Sequence, residues 1–177
     1  MRHDDTTAPG LGAPSSRPLG RPGRPPAGGL PRVDGGTGRR AAGRHPVALF
    51  ELASANDSTG EPHAAAPLYR QALQAGLTGY RRRRAVIQLA STLRNLGRAG
   101  RSVALLSAER EADPASLDEA TAGLGDAVDA FLALALADSG REREAVALAL
   151  NALSRHLPRY NRSLAGYAQA LRDDPGH

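Results

Sequence analysis

Histidine, cysteine and paired carboxylates carry most hydrolytic, redox and metal chemistry, and this chain offers little of any. Its 177 residues include no Cys, which excludes disulfides, thiolate zinc sites and cysteine nucleophiles. The five histidines are His3, His45, His63, His156 and His177. None pairs with a second His at helical spacing beside a carboxylate, the arrangement a hydrolytic zinc site needs. His3-Asp4-Asp5 has the atoms to touch a divalent cation, but an isolated trio in a Gly/Pro-rich setting reads as solvated. There is no Gly-x-Ser-x-Gly elbow and no dinucleotide fingerprint after a strand. Gly35-Gly36-Thr37-Gly38-Arg39 lacks the Lys-Ser/Thr ending of a phosphate loop. Glu109, Glu111 and Asp113 form an acidic patch at a helix end and read as charged surface. The expectation is a non-enzyme with no metal and no cofactor.

The sharpest local feature is Arg81-Arg82-Arg83-Arg84. Four cations at a helix start oppose the macrodipole, which favours anions there. Consecutive residues do not share a helix face, so at most two can converge on one ligand. Glu51, Asp57 or Glu61 are acids that can neutralise others.

Charge is unevenly placed. Residues 1–44 hold eight Arg and three Asp, whereas residues 45–177 hold fifteen Arg and fifteen acids. The whole net charge of +5 therefore belongs to the first 44 residues. These also contain seven Pro and ten Gly, and large apolar residues are scarce. Such a segment cannot bury enough surface to offset its conformational entropy, so 1–44 is expected to be a disordered arm. A polybasic arm of this kind can contact phosphates, and a proline-rich one can serve as a ligand for a partner domain. Arg39-Arg40 is followed by no clean apolar run, so it makes a poor export signal. With no uninterrupted run of 18 apolar residues and no signal-peptide core, a cytoplasmic protein without a membrane span is expected.

From Pro46 onward the apolar pattern becomes helical, and it repeats. Leu52-Ala53, Leu89-Ala90 and Leu132-Ala133 are each followed, seven residues after the Ala, by a glycine: Gly60, Gly97 and Gly140. The small Ala permits close helix approach, the Leu beside it fills the core, and the Gly ends the helix in a left-handed conformation. Five residues after each Gly stands Ala65, Ser102 or Ala145; nine after stands Tyr69, Leu106 or Ala149. At twelve come Ala72 and Ala152, with Glu109 in the middle unit. Three hairpins are predicted: 46–58 with 61–75, 80–96 with 98–112, and 115–139 with 141–156. Ser116 with Glu119 offers a capping box, and Gly123 and Gly125 weaken the long helix, which can instead begin near Asp126. A last helix over 159–172 places Tyr160, Leu164, Tyr167, Ala168 and Leu171 on one face and Arg159, Arg162, Gln169 and Arg172 on the other, as an end cap requires. Residues 173–177 are expected to be flexible.

This order of small, Gly, small, aromatic and small residues resembles the tetratricopeptide repeat, a helix–turn–helix unit of about 34 residues. The run Gly76 to Arg84 followed by Ile87 to Gly97 looks like a short bacterial subfamily of such proteins without assigned activity. The likeness covers residues 46–171. The Gly-to-Gly steps of 37 and 43 residues depart from an even repeat, and no Trp marks a first helix. The resemblance implies an all-α, right-handed solenoid of three hairpins plus a capping helix. It also implies a protein–protein interaction scaffold whose concave face is lined by the first helices. In the second unit that row is Arg84, Gln88 or Ile87, Ser91, and Arg94 or Asn95; in the first it is Phe50, Ser54 and Asp57. The implied partner is a protein or peptide, acidic if the arginines face it, with the chain itself a monomer or a homodimer through its first hairpin. The alternative is nucleic-acid or other polyanion binding through the arginine-rich arm and Arg81–Arg84.

Overall fold

The structure, a computed structural model, describes residues 45–112 and 117–173. The expected arm, the Gly35–Arg39 and His3–Asp5 runs, Asp113, Ser116 and the last four residues lie outside the described residues.

Among the described residues every regular element is a helix. They are α1 (Pro46–Ser58), α2 (Pro62–Gln74), α3 (Gly79–Asn95), α4 (Ala99–Arg110), α5 (Glu119–Ala122), α6 (Gly125–Ala137), α7 (Glu142–Ser154) and α8 (Asn161–Asp173). Consecutive helices pack on one another: α1 on α2, α3 on α4, α6 on α7, and α8 on α7. Successive hairpins join through α2 on α3 and α4 on α6.

The repeated glycines set the turns. Gly60, Gly97 and Gly140 have φ of 81°, 71° and 73°, the left-handed region that an L side chain enters only at a cost. Gly60 and Gly97 directly follow a helix C-cap and Gly140 stands two residues after one, and in each case the next amide closes the end. Arg98 N–H donates to Leu93 O at 2.9 Å and Gly97 N–H to Arg94 O at 2.9 Å, and the same pair of bonds recurs after Gly60 and Gly140. These bonds satisfy carbonyls that the helix end would leave orphaned. Proline opens α1 and α2, where its missing N–H costs nothing.

Two apolar clusters form the core. The first gathers Leu49, Phe50, Ala53, Ala65, Tyr69, Ala72, Leu77, Ala85, Leu89 and Leu93. The second gathers Ile87, Ala90, Leu106, Val128, Leu132, Leu136, Ala145 and Leu148. Helix α3 feeds both, with Ala85, Leu89 and Leu93 on one side and Ile87 and Ala90 on the other. The repeated alanines Ala53, Ala90 and Ala133 are all buried, as their spacing predicts.

Two sequence expectations change, at Leu52 and on α8, and the structure decides between the two readings of the third hairpin's first helix. Leu52 does not fill the core but is 53% exposed, while Leu89 and Leu132 are buried. Leu89 packs into the cluster built on the first hairpin, and Leu132 into the one built on the second; Leu52 has no earlier hairpin among the described residues to meet. The third hairpin's first helix is not continuous from 115. It breaks at Gly123-Leu124, and the short α5 is capped by Asp118, whose carboxylate accepts from Thr121 N–H at 2.8 Å. On α8 the buried side is Ala168, with Leu164, Ala165 and Leu171 half-buried. Tyr160 and Tyr167 instead stand in solvent, and Tyr160 precedes the helix with a φ of 65°. Finally, the stretch Glu119–Ala137 has a mean hydropathy of 1.5 and is, by length and composition alone, apolar enough to cross a membrane. Here it is split in two and packs against α4 and α7, with Asp126 and Asp129 in ion pairs.

Candidate interaction face and charged edge

Because α3 serves two cores, eight of its 17 residues are buried, all of them after its first turn. From Arg83 to Asn95 every residue is buried except Arg84, Gln88, Ser91, Arg94 and Asn95. Arg84, Gln88, Ser91 and then Arg94 or Asn95 follow at steps of three or four residues and so form one stripe. Between the two alternatives at the second position, Ile87 is core and Gln88 lies on the stripe.

Several members of the stripe already have neighbours. The Arg84 guanidinium lies 5.4 Å from the Phe50 ring centroid and 5.9 Å from that of Tyr80, within cation–π range. Ser54 of α1 donates to Gln88 Oε1 at 3.4 Å. Arg94 Nε sits 2.5 Å from Asp138 Oδ2 at the end of α6. Ser91 is half-buried and Asn95 exposed. In the first hairpin the expected row is only partly on the surface: Phe50 is fully buried, packed 6.2 Å from Tyr69, and its ring is the floor beneath Arg84. Ser54 and Asp57 do remain half-exposed.

Beneath the stripe runs a polar seam. Tyr69 O–H reaches Ser54 Oγ and Asp57 Oδ2, each at 3.4 Å, and Thr92 Oγ1 donates to Asp57 Oδ1 at 3.2 Å. Burial, reinforced by the Asp57 charge, pushes the Tyr69 phenol up to about 12. Asp57 thus ties α1 to both α2 and α3.

The arginine run divides three ways. Arg81 pairs with Glu51 on α1 at 3.5 Å. Arg82 Nη1 donates to both oxygens of Glu109 on α4, at 2.7 and 3.0 Å. Arg83 Nη1 lies 3.9 Å from the same carboxylate. Arg84 takes the rings. Glu109 is therefore not surface charge: its side chain is 2% exposed, and Arg83's is 7% exposed. The acid stands where the other repeats have Ala72 and Ala152 because the helix beside it carries two arginines that need it.

A second charged group is built from residues far apart in sequence. Asp129, buried on α6, accepts from Arg110 Nε at 2.7 Å and from Arg155 Nη2 at 3.0 Å. Arg155 also binds Asp126, and His156 Nε2 is 2.6 Å from Asp126 Oδ2. The Arg155 hydrogen bond holds the Asp126 carboxyl below the usual range, helped by His156. Arg110, Asp126, Asp129 and Arg155 border an open cavity of about 760 Å³, also lined by Arg83, Glu111, Ala112, Leu117 and Ala122. It sits where α3 and α6 begin and α4 and α7 end, away from the Gly97 and Gly140 turns. Sequence reasoning missed this group, since its members are 19 to 30 residues apart. The available signal was Asp126 and Asp129, two charges in an otherwise apolar helix. Among the described residues no three His, Cys, Asp or Glu gather as metal ligands.

Residues 46–171 match the family described as tetratrico peptide repeat. No curated protein and no solved structure gives a significant match. The family match spans well over half of the chain and every one of the eight helices in whole or in large part; the chain belongs to the tetratricopeptide repeat family.

Proposed function

We propose that the chain is a non-catalytic scaffold that binds a protein or peptide through the α3 stripe. Tetratricopeptide repeats in general mediate protein–protein interaction. The observation that carries the reading is the selectivity of burial on α3: after its first turn, a helix shared by two cores leaves open only Arg84, Gln88, Ser91, Arg94 and Asn95, along one side. Their chemistry suits an extended backbone, with an amide, a hydroxyl and a second amide to pair with peptide groups. Arg84 and Arg94 are held in place by rings and by Asp138, so they can present charge without a large ordering cost. Acidic segments complement them.

Ser91→Trp tests this without touching an ion pair. A cross-linked wild-type chain and the variant are used to capture partners from the native cell, and captured proteins are quantified by mass spectrometry. A partner held by the wild type and lost from the variant, with helicity unchanged by circular dichroism, supports the stripe. Ala104→Trp, on the exposed side of α4, should retain it. Equal capture by wild type and Ser91→Trp removes the stripe from consideration.

A further inference from the structure

We propose that the chain associates head to tail with further copies of itself, helix α1 of one copy docking in the apolar groove between α6 and α7 of the next. This surface shares no residue with the α3 stripe and does not depend on it. The groove lies on the third hairpin and is lined only by Ala, Leu and Val, among them Leu134, Val146 and Ala149. Leu134 is 46% and Val146 49% exposed. Apolar surface of this kind is stabilised by being covered, and the free end of a repeat array is ordinarily closed by a polar cap. Helix α8 does not close it. Helix α3 packs on both helices of the first hairpin and α6 on both helices of the second, but α8 packs on α7 and is not packed on α6. No residue of α8 lines the groove.

The two junctions inside the chain identify the occupant. Aligned on Gly60, Gly97 and Gly140, the groove residues Val146 and Ala149 stand where the first hairpin has Ala66 and Tyr69 and the second has Val103 and Leu106. In those hairpins the same positions pack with the first helix of the next unit: with Ala85, Leu89 and Leu93 of α3, and with Val128, Leu132 and Leu136 of α6. The corresponding residues of α1 are Ala48, Leu52 and Asn56. Ala48 and Leu52 are exposed, and the Asn56 amide donates to Leu52 O at 2.8 Å, which turns its polar end back along α1. One end of the chain thus carries an uncovered groove and the other an uncovered helix of the type that fills it. Polarity matches as well. Two polar pairs that cross the internal junctions, Asp57 with Thr92 and Arg110 with Asp129, become Ala137 opposite Ala55 and Leu153 opposite Leu49. Such a contact is heterologous. Each added copy leaves one free groove and one free α1, so the assembly extends unless it closes into a ring.

Sedimentation equilibrium of the full chain, at concentrations up to about 1 mM, should give an average mass that rises with concentration. Leu52→Glu and Val146→Glu each put a charge on one of the two surfaces at an exposed position, and each should weaken association by about tenfold or more with helicity unchanged. Mixed in equal amounts, the two variants should form a dimer and nothing larger, since one keeps its groove and the other keeps its α1. The chain has no Cys, so Leu52→Cys in one copy and Val146→Cys in another give a second readout that adds no charge. A bismaleimide should link the two different copies more often than like copies. A wild type that stays monomeric throughout, its groove open or covered by its own residues, overturns the proposal. So does a mixture of folded Glu variants that remains monomeric, and so does a Leu52→Glu variant that associates as the wild type does. If either Glu variant is unfolded the cross-link decides, and mixed links no more frequent than like ones overturn the proposal.

Discussion

At the scale of single residues, burial decides which charges matter. Glu109→Ala restores the small residue of the other two repeats, yet it strands Arg83 in the interior. Loss of one partner from a buried ion pair costs about 3–5 kcal/mol. Urea unfolding of Glu109→Ala should show a loss of that order, and adding Arg83→Leu should recover much of it. Tyr69 gives a pH signature. Its phenol is raised from 10 to about 12, so the folded state holds the proton more tightly than the unfolded chain. Its contribution is complete below pH 10 and falls away as pH rises toward 12, by roughly 2–3 kcal/mol in all. Tyr69→Phe should flatten this alkaline limb, as followed by chemical denaturation at a series of pH values. The stripe from Arg84 to Asn95 was legible in the sequence because its spacing is local. Glu109 was misread because a carboxylate near a helix end looks like surface until the two arginines opposite it are placed.

At the scale of helices, the glycine spacing was enough to place the hairpin turns to within a residue or two, since a left-handed C′ position is a backbone requirement that few residues meet. Burial by face was less legible. Helix α8 leaves Ala165 half-buried and Tyr167 in solvent. Leu52 and Leu89 occupy matching repeat positions and differ only in what precedes them. Helix α2 contains Pro67 in its interior, on its exposed side, flanked by the buried Ala65, Ala66, Tyr69 and Ala72. Packing on that inner face outweighs the lost backbone hydrogen bond. Pro67→Ala removes no core contact and should stabilise the protein by about 1–3 kcal/mol, measurable as a higher urea midpoint at unchanged slope.

At the scale of the whole chain, a buried charge adds to the apolar packing that joins the hairpins. Asp129 connects α6 to Arg110 on α4 and to Arg155 beyond α7, so one buried carboxylate spans two hairpins. Asp129→Asn keeps the shape and removes the charge. Both arginines are nearly half exposed and can rehydrate, so the cost should be about 1–3 kcal/mol, accompanied by broader unfolding as the second and third hairpins part company. No sequence spacing announces such a link, because it closes only when separate repeats stack. The shared helix has a different kind of consequence. In a linear array whose units hold only their neighbours, openings start at the ends and move inward. Losing α1 and α2 leaves the second cluster whole, and losing α7 and α8 leaves the first, but no opening frees α3 without dissolving both. The amides of Leu89 to Leu93 should therefore be the last to take up deuterium, and protection should decline from them toward both termini, so that exchange times record distance from α3 in the manner of a clock.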